Sequence, residues 1–223
     1  MAKPIIRCSS LPILSKCLGM IGAELTVDVE QDVTATGTLV HQYAAQLIVT
    51  GAMPEYTGSD SDVPFVLNRV KAAWNSVKAE FPNPVVERGL EYELKHFVLS
   101  GHPDLYGVPP EGGVGQVLDF KSGYLSDGDV LPQLMGYGFL IQQVGGQDDS
   151  PTKQGGFHLQ AAWLREGTFQ EWTYPWSHVA EWMAALHRQV GAWNGKRTQK
   201  KSVRRAEDCG IHANPQRKGQ DCN

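Results

Sequence analysis

The hydrophobic period of the chain changes at Pro82 and Pro84, and that switch limits the fold more than any other feature. Upstream, residues 36–50 place Leu39, Tyr43, Leu47 and Ile48 at helical spacing, with Thr36 as an N-cap and Gly51 as a stop. Residues 65–80 form a second amphipathic helix with Val66, Val70, Ala73, Trp74 and Val77 on one side, ended by the two prolines. Downstream, residues 85–107 and 114–121 break into short β-branched and aromatic runs divided by Gly and Pro, a pattern for the strands of a meander. Residues 130–143 return to a helical pattern despite Gly136 and Gly138, each of which costs about 1 kcal/mol in a helix interior. Such small residues permit close packing against a sheet or close approach of a ligand. Residues 157–165 and 168–176 read as a strand pair, and residues 177–193 as a helix with Val179, Trp182, Met183, Leu186, Val190 and Trp193 on one face. Helix, three strands, helix, strand is the order of an α/β domain with a mixed sheet.

Charge then bears on function. Residues 1–193 hold 12 Lys and Arg against 21 Asp and Glu, a net −9, whereas residues 194–223 hold 8 against 3, a net +5. The body has no basic signature of a nucleic-acid surface, so an acidic chain acting on DNA needs metal ions or a local basic path. The tail, with GKRTQKKSVRR, reads either as a solvated end or as a non-specific phosphate clamp. The expected division is a domain over 1–195 and a basic Cys/His-containing tail over 196–223. No apolar run approaches the roughly 18 residues of a membrane helix, and MAKPIIRCSSLPIL lacks the apolar length and small-residue site of a secretory leader. A cytoplasmic protein without a membrane partner is the expectation.

The residues that carry chemistry lie in Gly101-His-Pro-Asp104-Leu-Tyr-Gly107 and, after a Pro/Gly loop, Asp119-Phe-Lys121. Strand side chains alternate with period 2, so Asp119 and Lys121 share a face. With Asp104 on the neighbouring strand, two carboxylates and an ammonium converge. Hard oxygen ligands with open water positions suit Mg²⁺, and a metal beside a Lys acidifies water and stabilises charge at an attacked phosphate. Gln133 and Tyr137 stand four apart on one helix face.

Taken in order, these motifs resemble the PD-(D/E)XK nuclease superfamily, and within it the RecB-like branch that includes phage and CRISPR-adaptation exonucleases. His41 in GTLVHQYAAQL resembles that branch's helical histidine, Pro103-Asp104 and Asp119-Phe-Lys121 the superfamily signature, and Gln133-Leu-Met-Gly-Tyr137 the helix that follows it. The resemblance implies a restriction-endonuclease-like α/β core with a central mixed sheet flanked by helices. It implies Mg²⁺ or Mn²⁺ held by His41, Asp104, Asp119 and the carbonyl of Phe120, with Lys121 orienting or activating water. Gln133 and Tyr137 would hold a phosphate or position Lys121. Glu87 or Glu91 resembles a further acidic residue of the family, Glu87 the closer of the two.

The four cysteines sit near the ends, which argues against a disulfide scaffold and leaves metal binding or no role. They resemble the iron–sulfur clasp of the same branch, with Cys17, Cys209, His212 and Cys222 holding a 4Fe–4S cluster or Zn²⁺ and Cys8 as a substitute ligand. His212 and the long spacing to Cys222 depart from the family pattern. The implied activity is metal-dependent DNA hydrolysis, exonucleolytic, in recombination, repair or phage DNA metabolism. Partners would be a helicase, since the chain lacks a Walker A loop, or a single-strand-annealing protein. The alternatives are a structure-specific endonuclease on the same fold and a non-catalytic DNA-binding or assembly module.

Overall fold

In the computed structural model, which describes residues 3–16, 18, 31–125 and 129–199, the period switch marks the passage from helices to sheet. β1 (Ile5–Arg7) and the short α1 (Leu11–Leu14) precede α2 (Gln31–Thr50) and α3 (Asp62–Val77). Five strands follow: β2 (Val85–Val86), β3 (Leu90–Glu93), β4 (Val98–Gly101), β5 (Leu105–Gly107) and β6 (Val114–Lys121). Then come α4 (Leu131–Val144), the antiparallel pair β7 (Gly156–Trp163) and β8 (Thr168–Pro175), and α5 (Trp176–Gln199). The architecture is α/β with mixed sheets flanked by helices, as the element order requires.

The expected meander is divided between two sheets. A three-stranded sheet has the order β1-β4-β3, and a five-stranded sheet the order β2-β5-β6-β7-β8. The chain leaves the first at Gly101 and enters the second at Leu105. His102-Pro103-Asp104 makes the crossing, where a proline that cannot donate to a ladder costs nothing. β6 and β7 run parallel along their full length, Val114 opposite Gly156 through Lys121 opposite Trp163. Their carboxyl ends therefore coincide, and helices on both faces cover them.

Alternation along β6 assigns the two faces. Leu118 and Phe120 join Leu105 and Ala162 in a core closed by Val40, Ala44, Val66 and Val70 of α2 and α3. Val117 points the other way, with Leu159 and Ala161, into a core closed by Leu134 and Ile141 of α4 and Val179 and Met183 of α5. The three-stranded sheet adds Ile6, Leu90 and Leu99 to this second core, so α4 is enclosed and every residue from Pro132 to Gln142 is buried. Gly136 is required there: a Cβ at that position would lie 2.5 Å from Leu11 Cδ1 and 2.9 Å from Cys8 Sγ.

Several expectations shift in detail. α2 begins at Gln31, so Thr36 is not its cap; its hydroxyl instead lies 3.4 Å from Asp60 Oδ2 in the loop before α3. Gly51 does end α2, with φ 75°. α5 extends to Gln199, across the expected boundary at residue 195. Cys17, Cys209, His212 and Cys222 lie outside the described residues. Cys8 is fully buried beside Leu11, Gly101 and Gly136, and burial pushes its thiol pKa far up. Among the described residues Cys8 packs in the core between α1, β4 and α4. No helix of the described residues is long and apolar enough to cross a membrane.

Candidate active site

Asp104 sits in the crossing between the two sheets and is held from both sides. Its Oδ2 accepts a hydrogen bond from the Phe120 amide, and its Oδ1 lies 2.7 Å from His41 Nδ1 on α2. Glu87, just after β2, donates its own backbone N–H to the Asp104 carbonyl at 3.0 Å. That residue has φ 49°, a left-handed conformation that a non-glycine residue adopts at a cost and that clusters at functional sites. The result is a group of His41, Glu87 and Asp104 whose ligand atoms lie within 4.8 Å of one another and which can hold a metal ion.

Asp119 and Lys121 project from β6 on the α4 side, as their spacing demands. Lys121 Nζ is 2.6 Å from Asp119 Oδ2 and donates to Gln133 Oε1 at 2.9 Å. Gln133 Nε2 donates in turn to Asp119 Oδ1 at 3.2 Å and to the Tyr137 hydroxyl at 2.8 Å. One amide thus fixes the carboxylate, the ammonium and the phenol together. Asp119 Oδ2 is buried and has no partner in hydrogen-bond geometry despite its ion-pair contact with Lys121. Burying that oxygen is costly, and the Lys121 ammonium 2.6 Å away is the cation that offsets the cost.

These residues line one cleft of about 650 Å³, with Thr38, Gln42, Ala45 and His102 completing its wall. Phe120 contributes its amide to Asp104, while its side chain is buried in the core under α2 and α3. Glu91 is exposed on β3 and lines an adjoining cavity instead, with Arg7, Ser100 and His102. His102 borders both cavities. No spacing in the sequence marks it as a site residue, although it lies one residue before Pro103.

Burial and crowded negative charge set the protonation pattern. The Glu87 carboxyl is pushed up by burial and then by Asp104, and that of Asp119 by burial, against the opposing pull of Lys121. Burial draws His41 down, but its bond to Asp104 and the charges of Asp104, Asp119 and Glu87 outweigh it and raise the imidazole to about 9. Tyr137 is raised well above its ordinary value by burial and the nearby Asp119. The shifts at His41, Glu87 and Asp119 all mean that protons bind more tightly in the folded state. A raised His41 contributes stability that is present below its ordinary value of 6.5 and lost as pH climbs through about 9. Raised carboxyls likewise make the fold less stable once ionised.

The melting temperature of protein held in chelator should therefore fall between pH 6.5 and 9, and Mn²⁺ should raise it most at the alkaline end, where metal no longer competes with protons. A His41→Gln protein should show a flatter profile. If parent and variant gave parallel curves, the His41–Asp104 coupling would be wrong.

No protein-family model matches the chain, and no curated protein sequence does. Among solved structures it is similar to a protein of Eubacterium rectale named "Putative exonuclease", at 12% identity and a TM-score of 0.47 over 78% of this chain and 72% of that one. It is also similar to SSO0001, at 11% identity and a TM-score of 0.38 over 95% and 83% of the two chains. Similarity of that order identifies neither the family of this chain nor its reaction.

Proposed function

We propose that the chain is a divalent-metal-dependent deoxyribonuclease of the RecB-like PD-(D/E)XK type, hydrolysing DNA phosphodiesters from an end. The observation that carries this reading is the meeting, in one open cleft, of a His/Glu/Asp group, a buried carboxylate oxygen without a hydrogen-bond partner, and an ammonium held beside it. His41, Glu87 and Asp104 would hold Mg²⁺ or Mn²⁺, with Asp119 adding the oxygen that Lys121 contacts. Bound there, the ion would supply Lewis acidity at the phosphate and acidify water.

The remaining work falls to the side chains of β6 and α4. Lys121 has three donors, one given to Gln133 and one facing Asp119 Oδ2. The third would serve the negative charge that builds on an attacked phosphate, or orient the water that attacks it. Gln133 holds that ammonium in place and Tyr137 holds Gln133, so both are positioning residues. The chain would be a nuclease domain over 1–195 with a basic tail that adds non-specific phosphate contacts, and Cys17 of the domain with Cys209, His212 and Cys222 of the tail would hold a 4Fe–4S cluster or Zn²⁺.

The test is an assay on end-labelled linear DNA and on covalently closed circles, with Mg²⁺ or Mn²⁺ and with chelator. Metal-dependent loss of linear DNA with intact circles is the expected result. Cut circles would move the reading to an endonuclease on the same fold. No cleavage of either substrate with either ion would leave a non-catalytic DNA-binding module.

A further inference from the structure

Just past Lys121 the surface carries aromatic rings that chemistry in the cleft does not use. Tyr124 is 53% exposed, and the Arg165 guanidinium lies 5.3 Å from its ring centroid. Phe65, near the start of α3, is 49% exposed, with Arg69 at 5.3 Å from its ring. Single exposed apolar residues are ordinary, but these two pairs are neighbours. Arg165 Nη1 is 3.6 Å from Asp62 Oδ2, one turn before Phe65. Arg69 fills the space over Gly167 in the same β7–β8 turn, where a Cβ would meet its Nη1 at 2.4 Å.

The patch is also continuous with the cleft. Arg165 Nε donates to the Ser122 carbonyl at 3.0 Å, and Ser122 directly follows Lys121. Gly37, one turn before His41, lies against Ser122: a Cβ there would sit 3.4 Å from the Ser122 hydroxyl oxygen. Tyr124 stands three positions after Lys121, at most about 11 Å of extended chain. Both the cleft and the patch therefore open at the shared carboxyl ends of β6 and β7.

We propose that Tyr124 and Phe65, flanked by Arg165 and Arg69, are a stacking platform for unpaired bases of the strand whose phosphodiester enters the cleft. The inference rests on the nuclease reading and narrows its substrate to single strands or frayed ends. Every base has a π-face, so aromatic rings bind without regard to sequence, and Arg adds a cation–π contribution. Bases inside a duplex stack on one another and have no face to offer. The acidic neighbours shape the energetics: Asp62 is paired with Arg165, and Glu166 accepts from the Leu125 amide at 3.0 Å. Two arginines against two carboxylates leave no positive surplus, so the platform binds by stacking and its share of affinity depends little on salt.

The experiment measures fluorescence anisotropy of labelled single-stranded and duplex oligonucleotides with the full chain in chelator, so that binding is read without cleavage. Phe65→Ala and Tyr124→Ala should each weaken single-strand binding about tenfold, with the salt slope unchanged and duplex binding within twofold of the parent. Tyr124→Trp should restore or tighten binding, whereas Phe65→Leu, which keeps apolar bulk without a π-face, should fail to. Equal losses on single strand and duplex, or a Leu variant as good as the parent, would overturn the platform. So would a parent that does not bind single strands. Ring-dependent binding by a protein that never cleaves DNA would instead uphold the platform and remove the nuclease reading.

Discussion

Replacing Lys121 with Ala is expected to lower single-turnover DNA cleavage by about 10²–10³-fold, the loss typical when one charge-stabilising donor leaves a reacting centre. The same change should be felt in stability, because the ammonium is the cation in contact with Asp119, whose side chain is only 3% exposed. A buried group stripped of its partner costs about 1–3 kcal/mol. Adding Asp119→Asn removes the orphaned charge, and Gln133 remains to bond the new amide, so the double variant should recover most of the lost melting temperature and none of the rate. Thermal denaturation and quench kinetics on the three proteins separate the two effects. Cleavage by Lys121→Ala at the parent rate would sink the assignment, whatever its stability.

The sequence makes the centre of this site legible because its geometry is set by local periodicity. Asp119 and Lys121 had to share a face of β6, with Leu118 and Phe120 on the other, and Gln133 and Tyr137 had to meet across one helical turn. What no local pattern carries is pairing between distant segments. β1 is three residues long and pairs in parallel with β4 more than ninety positions away, Ile5 opposite Val98, so nothing near it in sequence announces a strand. The choice between Glu87 and Glu91 is of the same kind. Val85 and Val86 pair with β5 while Glu91 pairs with Ser100 of the other sheet, and the left-handed turn at Glu87 separates them. The packing of Cys8 is equally silent in the sequence, because the glycine of α4 that it lies against is more than a hundred positions away.

Asp104→Asn, Glu87→Gln and Asp119→Asn together should identify which carboxylates hold the ion. Asp104 touches everything that matters, accepting from the Phe120 amide and bonding His41, and an Asn carbonyl can still accept from that amide. The fold should therefore survive, while Mn²⁺ affinity falls by more than the 10–100-fold lost when an outer-shell partner of a metal site is changed. His41 would also lose the carboxylate that raises it, so the alkaline fall in metal-free stability should flatten in the same variant. Glu87→Gln should match Asp104→Asn in affinity, because Glu87 belongs to the His41–Asp104 group in space. Asp119→Asn should lose less affinity than either, since one of its oxygens is already given to Gln133, yet lose as much rate, since Lys121 loses its anchor. Calorimetry with Mn²⁺ on the three variants decides it. A Glu87→Gln protein that binds the ion as the parent does would return the ligand set to His41, Asp104, Asp119 and the Phe120 carbonyl, and leave the strained turn at Glu87 without a role in metal binding.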